Sequence, residues 1–187
     1  MYLKDFFLHP LSTGSITPSS KYLAKKYVTL AEIPRRSMVV ELGSGNGCVT
    51  KEILPLLHPS ADYFSIEINP NLVERYRENC PTGLVYEDTI EQLPKYLKEH
   101  GKDSCDCIIS GIPWTNFSPQ KQTELTQGIY DSLAPGGIFL TMVYIQSPYV
   151  PTGKSYQKLI NGLFSSVEQS TLVWRNIPPA YLYTCTK

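Results

Sequence analysis

Cysteine is scarce and unpatterned in this chain: Cys48, Cys80, Cys105, Cys107 and Cys185 are odd in number and include no C-x-x-C pair. With His9, His58 and His100 scattered, neither a disulfide framework nor a zinc site is expected. Cys105 and Cys107 are expected to share one face of a strand as small buried hydrophobes. An excess of charge is also missing, because 17 Lys and Arg balance 17 Asp and Glu. No global field then holds the protein on nucleic acid or an anionic membrane, and any such binding has to be local. Long apolar runs are absent too: the stretch 137–145 falls far below the roughly 18 to 20 residues that span a bilayer. The opening Met1-Tyr-Leu-Lys-Asp-Phe-Phe-Leu has no secretory cleavage pattern, so the chain is read as cytoplasmic. Without repeats or low-complexity stretches, its 187 residues are expected to form one domain.

Short apolar strands alternating with helical stretches make up most of the chain, the pattern of an open, mostly parallel α/β sheet. Strands are predicted at 37–42, 62–68, 84–86, 105–110, 138–144, 167–175 and 180–186. Helices are predicted at about 47–57, from Pro70 behind an Asn69 cap, at 90–100 with Gly101 ending it, at 119–133 behind a Ser118 cap, and at 154–164. Ala134-Pro-Gly-Gly137 reads as the stop after the helix that begins at Pro119. The last two strands have no helix between them and are joined by Asn176-Ile-Pro-Pro179, which predicts an antiparallel hairpin ending a parallel sheet. Near the start, 9–18 reads as a structured loop, after which Thr17 caps a helix with Pro18 at its first position, running to about Leu30. Leu23, Ala24, Tyr27, Val28 and Ala31 fall on one face of that helix, and Lys21, Lys25 and Lys26 largely on the other.

A strand that ends in a Gly-rich turn and opens a helix presents backbone N–H groups and a helix N-terminus to a polar ligand. Val39 to Gly47 has this form, with glycines at 43, 45 and 47. The dinucleotide fingerprint needs a glycine where Cys48 stands, and no Gly-Lys-Ser/Thr follows, so phosphate is not the expected ligand. Glu67, 24 residues beyond Gly43 at the end of the second strand, is placed to accept hydrogen bonds from both hydroxyls of an adenosine ribose. Glu41 lies just before the glycines, where a carboxylate can meet a cationic amino group, and Asp88 follows the third strand, where it can take an adenine amine.

These segments resemble a known family. Val39 to Gly47, Ser65-Ile-Glu-Ile-Asn-Pro70 and Leu133-Ala-Pro-Gly-Gly137 are similar to the successive motifs of class I S-adenosylmethionine-dependent methyltransferases. The segments 10–24, Ser110-Gly-Ile-Pro-Trp-Thr-Asn-Phe117 and Asn176-Ile-Pro-Pro-Ala-Tyr-Leu-Tyr183 are similar to the bacterial phospholipid N-methyltransferases, and the likeness covers nearly the whole chain. It implies a Rossmann-like, doubly wound, mostly parallel seven-stranded sheet with a terminal antiparallel hairpin, and S-adenosylmethionine as methyl donor. It further implies that Glu41, Gly43, Gly45 and Glu67 contact the donor, with Ser44, Ile68, Asp88, Thr89 and Ser110 completing the contact set. The segment from Ser110 to Asn116 would line the reacting methyl, with Ser110, Ile112, Pro113 and Asn116 positioning the acceptor.

Methyl transfer to an amine is an in-line displacement, so alignment and exclusion of water are the protein's main tasks. The expected acceptor is the amine of a phospholipid head group such as phosphatidylethanolamine. Small-molecule amines and RNA adenine are the rivals, and a catalytically silent donor-binding subunit is a further alternative. The chain begins almost at the Pro10 motif and has no net charge, where family members carry a longer N-terminal amphipathic region and more basic charge. No arginine-rich patch is visible, so no nucleic-acid partner is expected. Tyr2, Leu3, Phe6, Phe7 and Leu8, with Lys4, Lys21, Lys25 and Lys26, are expected to give peripheral contact at the inner membrane face through the segment 2–30.

Overall fold

Strand β1 (Met38–Leu42) is buried along its whole length, as a parallel strand covered on both faces must be. The computed structural model describes residues 19–187. The expected His9 to Pro18 loop, the Thr17 cap and the 2–8 apolar segment lie outside the described residues. Around β1 the chain lays down β2 (Asp62–Glu67), β3 (Val85–Glu87), β4 (Cys105–Ser110), β5 (Leu133–Tyr144), β6 (Ser166–Gln169) and β7 (Ala180–Thr186). Their order in the sheet is β3-β2-β1-β4-β5-β7-β6. β1 to β5 run parallel, whereas β7 is antiparallel to both β5 and β6. This is the mostly parallel seven-stranded sheet with its antiparallel end that the punctuation predicted. Strand order reverses between β1 and β4, which opens a crevice at their carboxyl ends.

Alternation along the strands divides the core into two layers. Val40, Leu42, Ile66, Ile108 and Phe139 face one layer, closed by Leu97 of helix α4 (Leu93–Glu99), Ile129 of α5 (Pro119–Ser132) and Ile160 of α6 (Pro151–Leu163). Val39, Ile109, Leu140 and Leu182 face the other, closed by α1 (Lys21–Ala31) and by Ile53 of α2 (Thr50–Ile53). Helix α1 buries Leu23, Ala24, Tyr27, Val28 and Ala31, the face the 3.6-residue period predicted. Its larger side chains contribute about 1.5 to 3 kcal/mol each. Cys105 and Cys107 are both buried but enter different layers, because the β4–β5 register shifts between them.

Caps fix the helices that the crevice depends on. Asn69 accepts the Asn71 N–H at 3.0 Å ahead of α3 (Pro70–Asn79), and Ser118 accepts the Lys121 N–H at 3.3 Å ahead of α5. Helix α1 begins later than expected, with Ser20 accepting the Leu23 N–H at 3.3 Å. The helix expected over 47–57 is only α2, since Pro55 converts the following turn to the 3-10 helix Leu54–Leu56. Similarly, 90–100 begins as a 3-10 turn (Ile90–Gln92) before α4, with Pro94 in its first turn. The Ala134-Pro-Gly-Gly137 stop lies inside β5, where Gly137 accepts the Lys187 N–H at 3.0 Å. The sixth strand is shorter than expected. The Ser170 N–H still bonds the Leu182 carbonyl at 2.9 Å, but the Leu182 N–H goes to the Ser170 hydroxyl at 3.0 Å, and the next bridge is Val173–Ala180. Among the described residues no helix is long and apolar enough to cross a membrane.

Candidate active site at the carboxyl edge of the sheet

Leaving β1, the chain turns through Gly43 and Gly45, whose φ angles of +70° and +57° lie where side chains are disfavoured. The Gly43 N–H bonds the Ile66 carbonyl at 2.8 Å, fastening the turn to β2. A Cβ at Gly45 would meet nothing within 4 Å, so this part of the turn faces open space. Across the crevice, the turn after β4 passes so close that a Cβ on Gly111 would stand 2.7 Å from the Gly43 carbonyl oxygen. The two turns are therefore in direct contact.

Glu67 ends β2 and is buried. Its two carboxylate oxygens are taken by backbone donors, Gly45 N–H at 2.8 Å and Asn69 N–H at 2.9 Å. Burial pushes its pKa above the usual carboxylate range, and these backbone bonds oppose that shift. Glu67, Gly43, Ile68, Asp88, Thr89, Ile112 and Phe117 line one cleft of about 300 Å³. Asp88 is oriented by the Thr89 N–H at 2.8 Å and the Tyr96 hydroxyl at 2.7 Å, which leaves lone pairs free on a group that accepts about four bonds. Ile68, Ile112 and Phe117 wall an apolar slot, with the carboxylates of Glu67 and Asp88 on the same lining.

The other expected site residues lie outside this lining. Glu41 is 2% exposed and sits below the turn, accepting the Thr50 hydroxyl at 2.6 Å and the Tyr63 hydroxyl at 2.7 Å. Burial raises its pKa to about 7, against the lowering effect of those two bonds. Ser44 is buried, and its hydroxyl has no partner among the described residues. Ser110 is fully buried, its hydroxyl accepting the Ile112 N–H at 3.3 Å and its carbonyl accepting the Tyr27 hydroxyl at 2.5 Å. Asn116 is exposed at the end of the 3-10 turn Trp114–Asn116.

Pro113 faces a second cavity of about 400 Å³, lined also by Trp114, Thr115, Tyr144, Ser147, Tyr156 and Tyr183. The Trp114 and Tyr156 rings stack with centroids 4.8 Å apart. The Trp114 indole N–H is buried without a partner among the described residues. The segment after β4 thus divides the two spaces, with Ile112 on the first cleft and Pro113 on the aromatic cavity. Tyr144 escaped the sequence reading, although its place at the carboxyl end of β5 was the available signal, and Tyr183, in the middle of β7, was noted only as the end of the Asn176–Tyr183 motif. Tyr27 was legible only as a core residue, yet its hydroxyl bonds the Ser110 carbonyl at the end of β4.

Comparison with known proteins agrees with this geometry. Residues 39–137 match a family model described as a methyltransferase domain. Over 190 aligned residues the chain is 31% identical to the ornithine lipid N-methyltransferase of Singulisphaera acidiphila, covering 99% of this chain and 94% of that one. The O-methyltransferase of Bacillus cereus, solved with S-adenosylhomocysteine, superposes with a TM-score of 0.73 at 11% identity, covering 96% of this chain and 87% of that one. An RNA methyltransferase of Salinibacter ruber in complex with S-adenosylhomocysteine superposes at 0.58 and 15% identity, covering 91% and 93%. The chain belongs to the S-adenosylmethionine-dependent methyltransferases, and S-adenosylmethionine is its methyl donor. Neighbours acting on such different acceptors show that the fold alone does not select the substrate.

Proposed function

We propose that residues 1–187 form one catalytic domain that methylates the amine of a membrane-lipid head group, of the phosphatidylethanolamine or ornithine-lipid kind. The observation that carries this reading is the uncharged aromatic cavity beside the donor cleft: none of its lining residues is Asp, Glu, Lys or Arg. The full-length likeness to a lipid N-methyltransferase supports it. Five free thiols are in keeping with action from the reducing, cytoplasmic side of the membrane.

Glu67 accepts the two ribose hydroxyls, Asp88 and Thr89 meet the adenine edge, and Ile68 and Ile112 hold the ring. The Gly43-Ser44-Gly45 backbone holds the rest of the donor. Glu41 acts as a positioning residue, tying Thr50 and Tyr63 beneath the turn. The bound donor supplies a methyl group on a sulfonium, which becomes a neutral thioether as the amine nitrogen forms its bond to that carbon. Pro113 and the buried Ser110 turn align the acceptor, while Asn116 guards the rim. The apolar cavity disfavours an ammonium ion and so promotes loss of its proton to water before transfer. No carboxylate or imidazole lines the cavity, and the chain's own contribution is alignment and dehydration.

The test is transfer of a labelled methyl from S-adenosylmethionine to phosphatidylethanolamine, ornithine lipid, bulk RNA and small amines in parallel. Label on lipid nitrogen is expected. Label confined to RNA or to water-soluble amines would refute the lipid reading.

A further inference from the structure

The lipid reading leaves open how the acceptor cavity meets its substrate, and the surface around that cavity is unusual. Large apolar side chains stand in solvent on the two loops beside it. Tyr149 is 82% exposed, with Ile145 and Val150 beside it after β5, while Trp174 and Ile177 are 72% and 76% exposed before β7. The loops are joined where the Ile145 N–H bonds the Pro179 carbonyl at 2.9 Å. The N-terminus of α1 lies against the second loop: the Ser20 N–H bonds the Asn176 side chain at 3.0 Å, and Arg175 bonds the Tyr22 hydroxyl at 2.7 Å. Lys26 bonds the Thr171 hydroxyl.

The segments that carry these loops and the start of α1 are also cationic. The segments 19–31, 144–158 and 170–182 carry Lys21, Lys25, Lys26, Lys154, Lys158 and Arg175 and no acid, in a chain whose charges cancel overall. None of these cations forms an ion pair with a described residue. Glu168, the acid nearest the second loop in sequence, pairs with Thr184, four positions down β7 from Ala180. Exposed Trp and Tyr ringed by uncompensated Lys and Arg match a bilayer interface, where the rings sit at head-group depth and the cations meet anionic lipid. Apolar insertion and charge together provide the two signals that reversible membrane attachment needs.

We infer that the β5–α6 and β6–β7 loops, with the N-terminal half of α1, form a docking face for an anionic lipid bilayer. Pro148 and Tyr144 of the cavity wall lie on or beside the first loop, so docking presents the cavity mouth to head groups in the membrane plane. This rests on the lipid-amine reading for its purpose and draws only on the described residues.

Co-sedimentation with vesicles of phosphatidylcholine, with and without phosphatidylglycerol, tests it on the full chain. The wild type is expected to pellet with the anionic vesicles and to be released by salt. The triple variant Tyr149→Ser, Trp174→Ser, Ile177→Ser should bind at least about tenfold more weakly at an unchanged melting temperature. Lys25→Glu with Lys154→Glu should lose about as much on anionic vesicles alone. Both variants should methylate detergent-dispersed lipid at the wild-type rate and vesicle lipid more slowly. A wild type that stays in the supernatant, a triple variant that pellets normally, or a dimer that the triple variant dissociates would overturn the docking face. Lipid methylation without vesicle binding refutes this inference alone, whereas vesicle binding through these residues without lipid methylation refutes only the substrate reading.

Discussion

Replacing Glu67 by glutamine removes a charge while keeping shape, and the structure makes the outcome specific. Both carboxylate oxygens accept backbone N–H groups, from Gly45 at 2.8 Å and Asn69 at 2.9 Å. An amide has one acceptor oxygen, so either orientation sets its NH₂ against one of these donors. A hydrogen bond to a charged group is worth about 1.5 to 3 kcal/mol. For a chain of this size that loss lowers the melting temperature by about 3 to 12 °C. If the same carboxylate holds the ribose hydroxyls, donor affinity falls by a similar free energy, about tenfold to 150-fold. Titration calorimetry with S-adenosylhomocysteine, alongside a thermal melt, separates the two effects. A lower melting temperature with affinity unchanged would make Glu67 a brace of the turn and refute its role as a ligand.

In the ligand-free protein, Glu41 takes up its proton more readily folded, with a pKa of about 7, than unfolded at the ordinary carboxylate value of 4.5. Stability should therefore fall by about 3 kcal/mol as pH rises from 4.5 to 7, then level. Denaturation curves across that range should be flatter for Glu41→Gln, and identical pH dependence in the two proteins would remove Glu41 as the cause. Gly111→Ala places a methyl 2.7 Å from the Gly43 oxygen and should cost about 1 to 3 kcal/mol, so an unaltered melt would contradict the observed approach of the turns. Tyr27→Phe leaves the Ser110 carbonyl without its donor, at about 1 to 3 kcal/mol. It should lower kcat while the Kd for donor stays near wild type, and a purely donor-side effect would count against its bracing the acceptor side.

Local chemistry made much of this fold legible. The Asn69 and Ser118 caps, the apolar face of α1 and the apolar strands β1, β2 and β4 follow from residues near one another in sequence. What escaped depends on distant partners. Ala134-Pro-Gly-Gly137 has the composition of a stop, yet Lys187 draws it into β5 from the far end of the chain. The sixth strand is cut short by one side chain, Ser170, which replaces a backbone acceptor. Pro55 was visible within the expected 47–57 helix, and the rule that proline breaks a helix should have shortened it. Within the site, spacing found the Gly-rich turn, Glu67 and Asp88, which share one cleft. It did not separate residues at the cleft from those behind it, because Glu41 and Ser110 differ from Glu67 only in the direction their side chains face. The aromatic cavity draws on four separate segments and has no linear signature.

Gly111 approaches Gly43 with no room for even a methyl group between the two turns. On the proposed assignment one turn borders the donor and the other leads to the acceptor. A ligand that displaces either turn would then have to move the other, which would give the two ligands a coupling free energy. Thermodynamic reciprocity then requires that whatever factor the donor applies to acceptor affinity, the acceptor returns to the donor.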